Sequence, residues 1–162
     1  MVRGLSESVC FKNPPYGEKT GRNLYVAGPS KVNRNTTLGD NVRFHGMKIT
    51  GKGRVDIGSY VIAAGDCMII TQNHNYEGDA IPYDDTLNFR DVVIGDFVWI
   101  GARVLILPGT KIGEGAIIQG GAVVHGEIPP YAIAGGNPAK VFKYRDAEHF
   151  KKLKAEGKFY RG

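Results

Sequence analysis

Cysteine is scarce in this chain. There are two, Cys10 and Cys67, 57 residues apart and with no CxxC pairing. That spacing argues against a disulfide framework or a thiolate zinc module and for reduced thiols in a cytosolic protein. Long hydrophobic runs are missing too. No stretch approaches the roughly 20 apolar residues of a spanning helix, and the N-terminus lacks a signal-peptide core. A cytoplasmic protein without membrane insertion is therefore expected. No helix-turn-helix pattern or aromatic-interleaved basic motif is present, which argues against nucleic acid as a partner. Nor does any Pro/Gly/Ser tract suggest disorder.

What the chain does have is glycine, 23 of its 162 residues, spread along its length as structural punctuation. The length suits one domain with a real core. A net charge of +5, from 21 basic and 16 acidic residues, suits a soluble protein with an anionic ligand. Lys140, Lys143, Arg145, Lys151, Lys152, Lys154 and Lys158 gather near the C-terminus, where most read as a solvated face.

From residue 94 the chain beats in sixes: IGDFVW, IGARVL, ILPGTK, IGEGAI, IQGGAV, VHGEIP. Ile94, Ile100, Ile106, Ile112, Ile118 and Val124 open the hexamers, and Val98, Val104, Thr110, Ala116 and Ala122 hold the fifth places. The same phase runs earlier through Ile57, Ala63 and Ile69, with Val61 and Cys67 at fifth places, and a third run opens at Val32, Leu38 and Phe44. One residue of slippage separates Phe44 from Ile57, consistent with a bulge or corner insertion around TGKGR. A period of six excludes a 3.6-residue helix. It fits short strands joined by tight corners, three hexamers to each turn of a triangular prism. Openers point inward, and glycine, asparagine and aspartate supply the corners. The expected fold is all-β, a parallel β-helix. After it, DAEHFKKLKAEGKF has helical spacing with Asp146 as N-cap, and is expected to cover the open end of the prism.

The hexamers, with WIG at 99–101, LPG at 107–109 and IPPYAIAGGNPAK at 128–140, resemble the hexapeptide-repeat acetyltransferase family. The branch they resemble holds the galactoside, maltose and xenobiotic O-acetyltransferases, and the small surface-polysaccharide O-acetyltransferases look nearest. The resemblance covers roughly residues 30–143 and implies a left-handed coil, a hand that the usual crossover preference would not give. It divides the chain into an N-terminal segment (1–31), a β-helix domain (32–143) with an inserted loop (72–91), and a C-terminal helical segment (144–162).

The resemblance implies acetyl transfer from acetyl-CoA to a hydroxyl of a sugar or surface-polysaccharide precursor. His74, at the root of the loop TQNHNYEGDAIPYDDTLNFR, matches the family's general base. A sugar hydroxyl must lose its proton as it attacks the thioester, and imidazole titrates near neutrality. Glu77 is a candidate to orient the imidazole or bind the acceptor, with Asn75, Tyr76, Phe44, His45 and Trp99 as further acceptor-site candidates. Phe44 would form an aromatic floor where the galactoside enzymes place an asparagine. Tyr76 and Tyr83 suit either sugar stacking or packing on a neighbouring subunit.

Cofactor contacts are implied at Ala102, Gly120, Gly121, His125, Gly136, Asn137 and Pro138, with Lys140 and Lys143, and Arg145 in reserve, for the phosphates. Ala102 stands where the galactoside enzymes often have serine, leaving its backbone N–H as the oxyanion donor. No metal is expected. The family implies a homotrimer with active sites at subunit interfaces. Amino-sugar N-acetylation and antibiotic O-acetylation are the alternatives, with a non-enzymatic hexapeptide subunit behind them. A γ-class carbonic anhydrase would need a close histidine pair that His45, His74 and His125 do not supply.

Overall fold

A computed structural model describes residues 20–160. Cys10 lies outside them. Three parallel ladders form the faces of a prism. The first face stacks Thr36–Leu38, Val55–Ile57, Val92–Ile94, Lys111–Ile112 and Glu127–Ile128. Tyr25–Val26, Arg43–Phe44, Ile62–Ala63, Trp99–Ile100, Ile117–Ile118 and Ala132–Gly135 build the second. The third holds Met47–Thr50, Cys67–Ile70, Leu105–Ile106 and Val123–Val124. The chain visits them in rotation, so corners form three edges: first to second face, second to third, and third to first.

Register follows the hexamers. Ile94 pairs with Ile112, Ile100 with Ile118 and Ile106 with Val124, each a step of 18 residues. Openers from Leu38 onward and fifth-place residues alike are buried, with Ile69, Ile100, Ile106, Ile118 and Val124 at 0% exposure, while Val32 is half-buried. A two-residue strand can hold its direction because each coil donates to the next, as in Gly95 N–H to Ile112 C=O at 2.8 Å. The inward stacks then remove one apolar column from water along the whole prism. Thr110, polar yet fully buried, donates its hydroxyl to Leu107 C=O at 2.7 Å and is satisfied.

The slippage near TGKGR resolves into two changes. Ile49 pairs with Ile69 while Phe44 aligns with Ala63, so the second-edge corner through His45 and Gly46 is one residue short. The third-edge corner at Thr50–Arg54 is two residues longer than the repeat gives, since Ile57 is the next opener. A later departure was not foreseen. Ile112 pairs with Ile128, a step of 16, so the third-edge corner at His125 and Gly126 loses two residues.

The C-terminal helix, Ala147–Ala155, is capped by Asp146, whose carboxylate accepts from His149 N–H at 3.0 Å. It does not cover the end of the prism as expected. It lies along the first edge, where Phe150 packs on Tyr131 (5.0 Å between centroids) and Phe97 (5.8 Å). Its physical reason is an aromatic column at that edge. Tyr60, Phe97 and Tyr131 occupy equivalent corners with φ between 57° and 61°, unusual for bulky residues. Tyr60 and Phe97 stack at 4.9 Å, and Phe159 leans on both. That contact offsets the corner strain and offers the amphipathic helix an apolar seat. The prism's end instead receives the strand Lys140–Tyr144, paired antiparallel to Ala132–Gly135. No helix among the described residues is long and apolar enough to cross a membrane.

Candidate active site

The third edge carries the largest excursion. Between Ile70 and Val92 the chain leaves the coil as a hairpin, Gln72–His74 against Leu87–Phe89, with His74 paired to Leu87. Its root is clamped. Thr71 is fully buried; its hydroxyl donates to Thr50 C=O at 2.8 Å and accepts from Gly53 N–H at 3.1 Å. Gln72 Oε1 accepts from Lys52 N–H at 3.1 Å, and Arg90 N–H donates to Thr71 C=O at 3.0 Å. A Cβ on Gly53 would lie 2.9 Å from both Thr71 Cβ and Thr71 O, so only glycine lets the long corner touch the root. The two extra residues of TGKGR thus serve as the hairpin's footing.

His74 ends the first hairpin strand with an exposed imidazole. Tyr83 lies over it, ring centroids 4.0 Å apart and planes within 20°. Asp84 draws the tip back by accepting from Thr86 Oγ1, from Thr86 N–H at 2.9 Å and from Asp79 N–H at 3.2 Å. The Thr86 side-chain bond, then the backbone bonds, hold the Asp84 carboxyl below the usual aspartate range. Asn75 is spent on the hairpin: Oδ1 accepts from Glu77 N–H at 3.2 Å and its C=O from Asp84 N–H at 3.2 Å. Glu77 and Tyr76 are exposed, and among the described residues no hydrogen bond or ion pair joins Glu77 to His74.

Phe44 requires correction. It is 1% exposed and belongs to the core, so it cannot floor an acceptor pocket. Its place as a hexamer opener is the reason. His45 sits exposed at the second edge beside Tyr25 (5.8 Å between centroids), on a different edge from the hairpin. Trp99 is 55% exposed on the second face and lines a cavity of about 270 Å³ with Tyr60, Phe97, Leu153 and Tyr160 beneath the helix. The fold does not bring it to His74 within one chain.

The cofactor candidates divide. Ala102, Gly120, Gly121, Gly136, Asn137 and Pro138 gather in successive corners of the second edge, where Gly121 N–H donates to Ala102 C=O at 2.8 Å. Gly121 has φ +75°, and a Cβ there would meet nothing within 4 Å. The edge is therefore open at Gly121, beside the exposed Arg103, and its glycines bare backbone that fits an extended amide-bearing arm such as pantetheine. His125 instead stands on the third edge, two coils past the hairpin. Lys140 and Lys143 are exposed on the closing strand. Arg145 is already committed, donating to Gly115 C=O at 3.1 Å and lying 4.9 Å over the Phe150 ring. Among the described residues no three His, Cys, Asp or Glu side chains cluster to hold a metal. Burial raises the Cys67 thiol above its usual range, and the residue is free and buried.

Sequence reasoning had no signal for Tyr83 on His74, because a loop carries no period. The aromatic column did leave one: Tyr60, Phe97 and Tyr131 each stand third after a hexamer opener, in IGSY, IGDF and IPPY.

Prism, hexamer register and edge hairpin together define a hexapeptide-repeat β-solenoid protein. Residues 91–126 match the family model described as bacterial transferase hexapeptide (six repeats). A chloramphenicol acetyltransferase of Morganella morganii is 43% identical over 158 residues, covering 87% of this chain and 72% of that protein. A protein of Mycobacterium tuberculosis named as a probable acetyltransferase is 41% identical over 92 residues, 56% of this chain. The chain spans only 31% of that second relative's length. A galactoside acetyltransferase in complex with coenzyme A superposes with a TM-score of 0.71 at 27% identity, over 81% of this chain and 66% of that one. The chain belongs to the hexapeptide-repeat acetyltransferase family.

Proposed function

We propose that this protein transfers the acetyl group of acetyl-CoA to a hydroxyl of a sugar or surface-polysaccharide precursor, with His74 as general base. The observation that carries the reading is the exposed imidazole on a clamped hairpin, one face away from an open, backbone-lined edge. A ring nitrogen of His74 takes the hydroxyl proton as the hydroxyl oxygen bonds to the thioester carbon. Collapse of the tetrahedral adduct breaks the carbon–sulfur bond, and the imidazolium returns the proton to the departing thiolate. Ala102 N–H is the candidate donor to the oxyanion, and Lys140 and Lys143 the candidates for the phosphates.

His74 and Ala102 lie on different edges, so one chain does not assemble the site. Edge-to-edge packing of three copies would set the hairpin of one against the second edge of the next, which is the homotrimer reading. The galactoside acetyltransferase supports a sugar acceptor. The Morganella morganii relative favours a second reading, O-acetylation of a hydroxylated antibiotic. Acetyl-CoA turnover against simple glycosides, nucleotide sugars and chloramphenicol separates the two, with His74→Ala as control. Equal turnover by His74→Ala would sink the mechanism. Mixing His74→Ala with Ala102→Trp should restore activity in mixed trimers, and no recovery after subunit exchange would count against the shared site.

A further inference from the structure

We infer that Tyr83 is a positioning residue for His74, resting on the proposed role of that histidine: its ring holds the imidazole plane and stabilises the imidazolium formed as the acceptor proton is taken. The geometry is direct. A stack with centroids 4.0 Å apart and planes within 20° covers one face of the imidazole and leaves its edge, where both nitrogens lie, uncovered by that ring. An exposed histidine at a strand end would otherwise rotate freely about χ2. Tyr83 is itself held. Its neighbour Asp84 is tied to Thr86 and Asp79, and Asp84 N–H donates to Asn75 C=O at 3.2 Å, joining the tip to the residue after His74. Gly78 makes room, since a Cβ there would lie 1.8 Å from Asp84 Oδ2.

The consequence is kinetic. A π face attracts a cation far more than a neutral ring, so Tyr83 favours the protonated imidazole more than the resting base. That interaction grows in the transition state and so raises kcat with little effect on the affinity for acetyl-CoA. Stabilisation needs the ring and not the hydroxyl, so phenylalanine should serve.

Tyr83→Phe, Tyr83→Ala and Tyr83→Leu test this; position 83 is 47% exposed on the hairpin, so none should unfold the prism. Phe is expected to keep kcat within about threefold, while Ala and Leu lose about tenfold with KM for acetyl-CoA unchanged. Independently of activity, the His74 ring protons should be shifted upfield by the Tyr83 ring current in the wild type and in Tyr83→Phe, and lose that shift in Tyr83→Ala. Unchanged His74 resonances in Tyr83→Ala, or full kcat there, would overturn the inference. So would a Tyr83→Phe as slow as Tyr83→Ala, which would assign the work to the hydroxyl, or an effect confined to acceptor KM, which would make Tyr83 an acceptor platform. If His74→Ala transfers acetyl groups as fast as the wild type, the reading of His74 falls first, whatever the resonances show.

Discussion

Replacing Thr71 by valine is the sharpest test of how the hairpin is held. The side chain is fully buried, and valine has nearly the same volume, so no cavity opens. Thr50 C=O loses the hydroxyl at 2.8 Å but keeps Thr71 N–H at 3.1 Å. Gly53 N–H loses its acceptor outright, and the close approach of Thr71 to Gly53 leaves no room for a water. An unsatisfied buried donor costs about 1–3 kcal/mol, so the hairpin root should weaken by roughly 2 kcal/mol. At 1.4 kcal/mol per factor of ten, amide exchange at Gly53 and Arg90 should quicken about 25-fold. Thr71→Ser keeps the hydroxyl and should exchange nearly as the wild type does. His74 is three residues along, so acetyl transfer should fall about tenfold in the valine variant and recover in the serine one. Equal exchange in valine and wild type would refute the clamp. Equal slowing of catalysis by serine and valine would shift the explanation from the hydrogen bonds to side-chain shape.

Ala102→Leu places bulk on the open second edge without forcing a new backbone conformation; KM for acetyl-CoA should rise at least tenfold while the His74 resonances stay put, and an unchanged KM would move the cofactor elsewhere. Phe150→Ala removes a nearly buried ring from the first-edge column and should cost about 3 kcal/mol of helix docking, read as lost helical circular dichroism and altered emission from Trp99, the only tryptophan. Unaltered spectra would show that Phe159 and Arg145 suffice to hold the helix. For the hairpin tip, the depressed Asp84 carboxyl contributes order above the ordinary aspartate value of about 3.9, and that order is lost as pH falls through its lower folded value. Exchange at Asp79 and Thr86 should therefore quicken relative to Asn88 on acidification below about pH 4, and Asp84→Asn should show the same loosening at neutral pH. A tip as well protected in Asp84→Asn as in the wild type would contradict it.

The coil was legible because a six-residue period encodes side-chain direction. Ile94 to Val124 could be set inside, and Trp99, beside an opener, outside. Phe44 shows what happens when resemblance is allowed to outrank phase: an opener of the same run was given an acceptor role that its inward direction forbids. The helix was legible in its cap and spacing but not in its docking. Its seat is an aromatic column at Tyr60, Phe97 and Tyr131, interrupted at the equivalent corner by Gly115 and spaced 37 and 34 residues apart, so a search at six passes over it. Contacts inside the hairpin were out of reach, since Tyr83, Asp84 and Gly78 meet through a turn that no periodicity announces.

The departures from six are themselves informative once mapped onto the prism. One, the shortened His45–Gly46 corner, falls on the second edge. The other three share the third: two extra residues at TGKGR, the hairpin from Thr71 to Asp91, and two missing at His125–Gly126. A solenoid gains most of its stability from identical stacked coils, so each irregular corner is a local cost that the neighbouring coils must absorb. Random tolerance would scatter such corners over all three edges. Here the long corner bonds the hairpin root directly, through Gly53 to Thr71 and Lys52 to Gln72. The short corner lies on the same edge two coils on, with His125 exposed on it. In the homotrimer proposed above, the length of the His125 corner would then, as much as any side chain, be part of how the site is shaped.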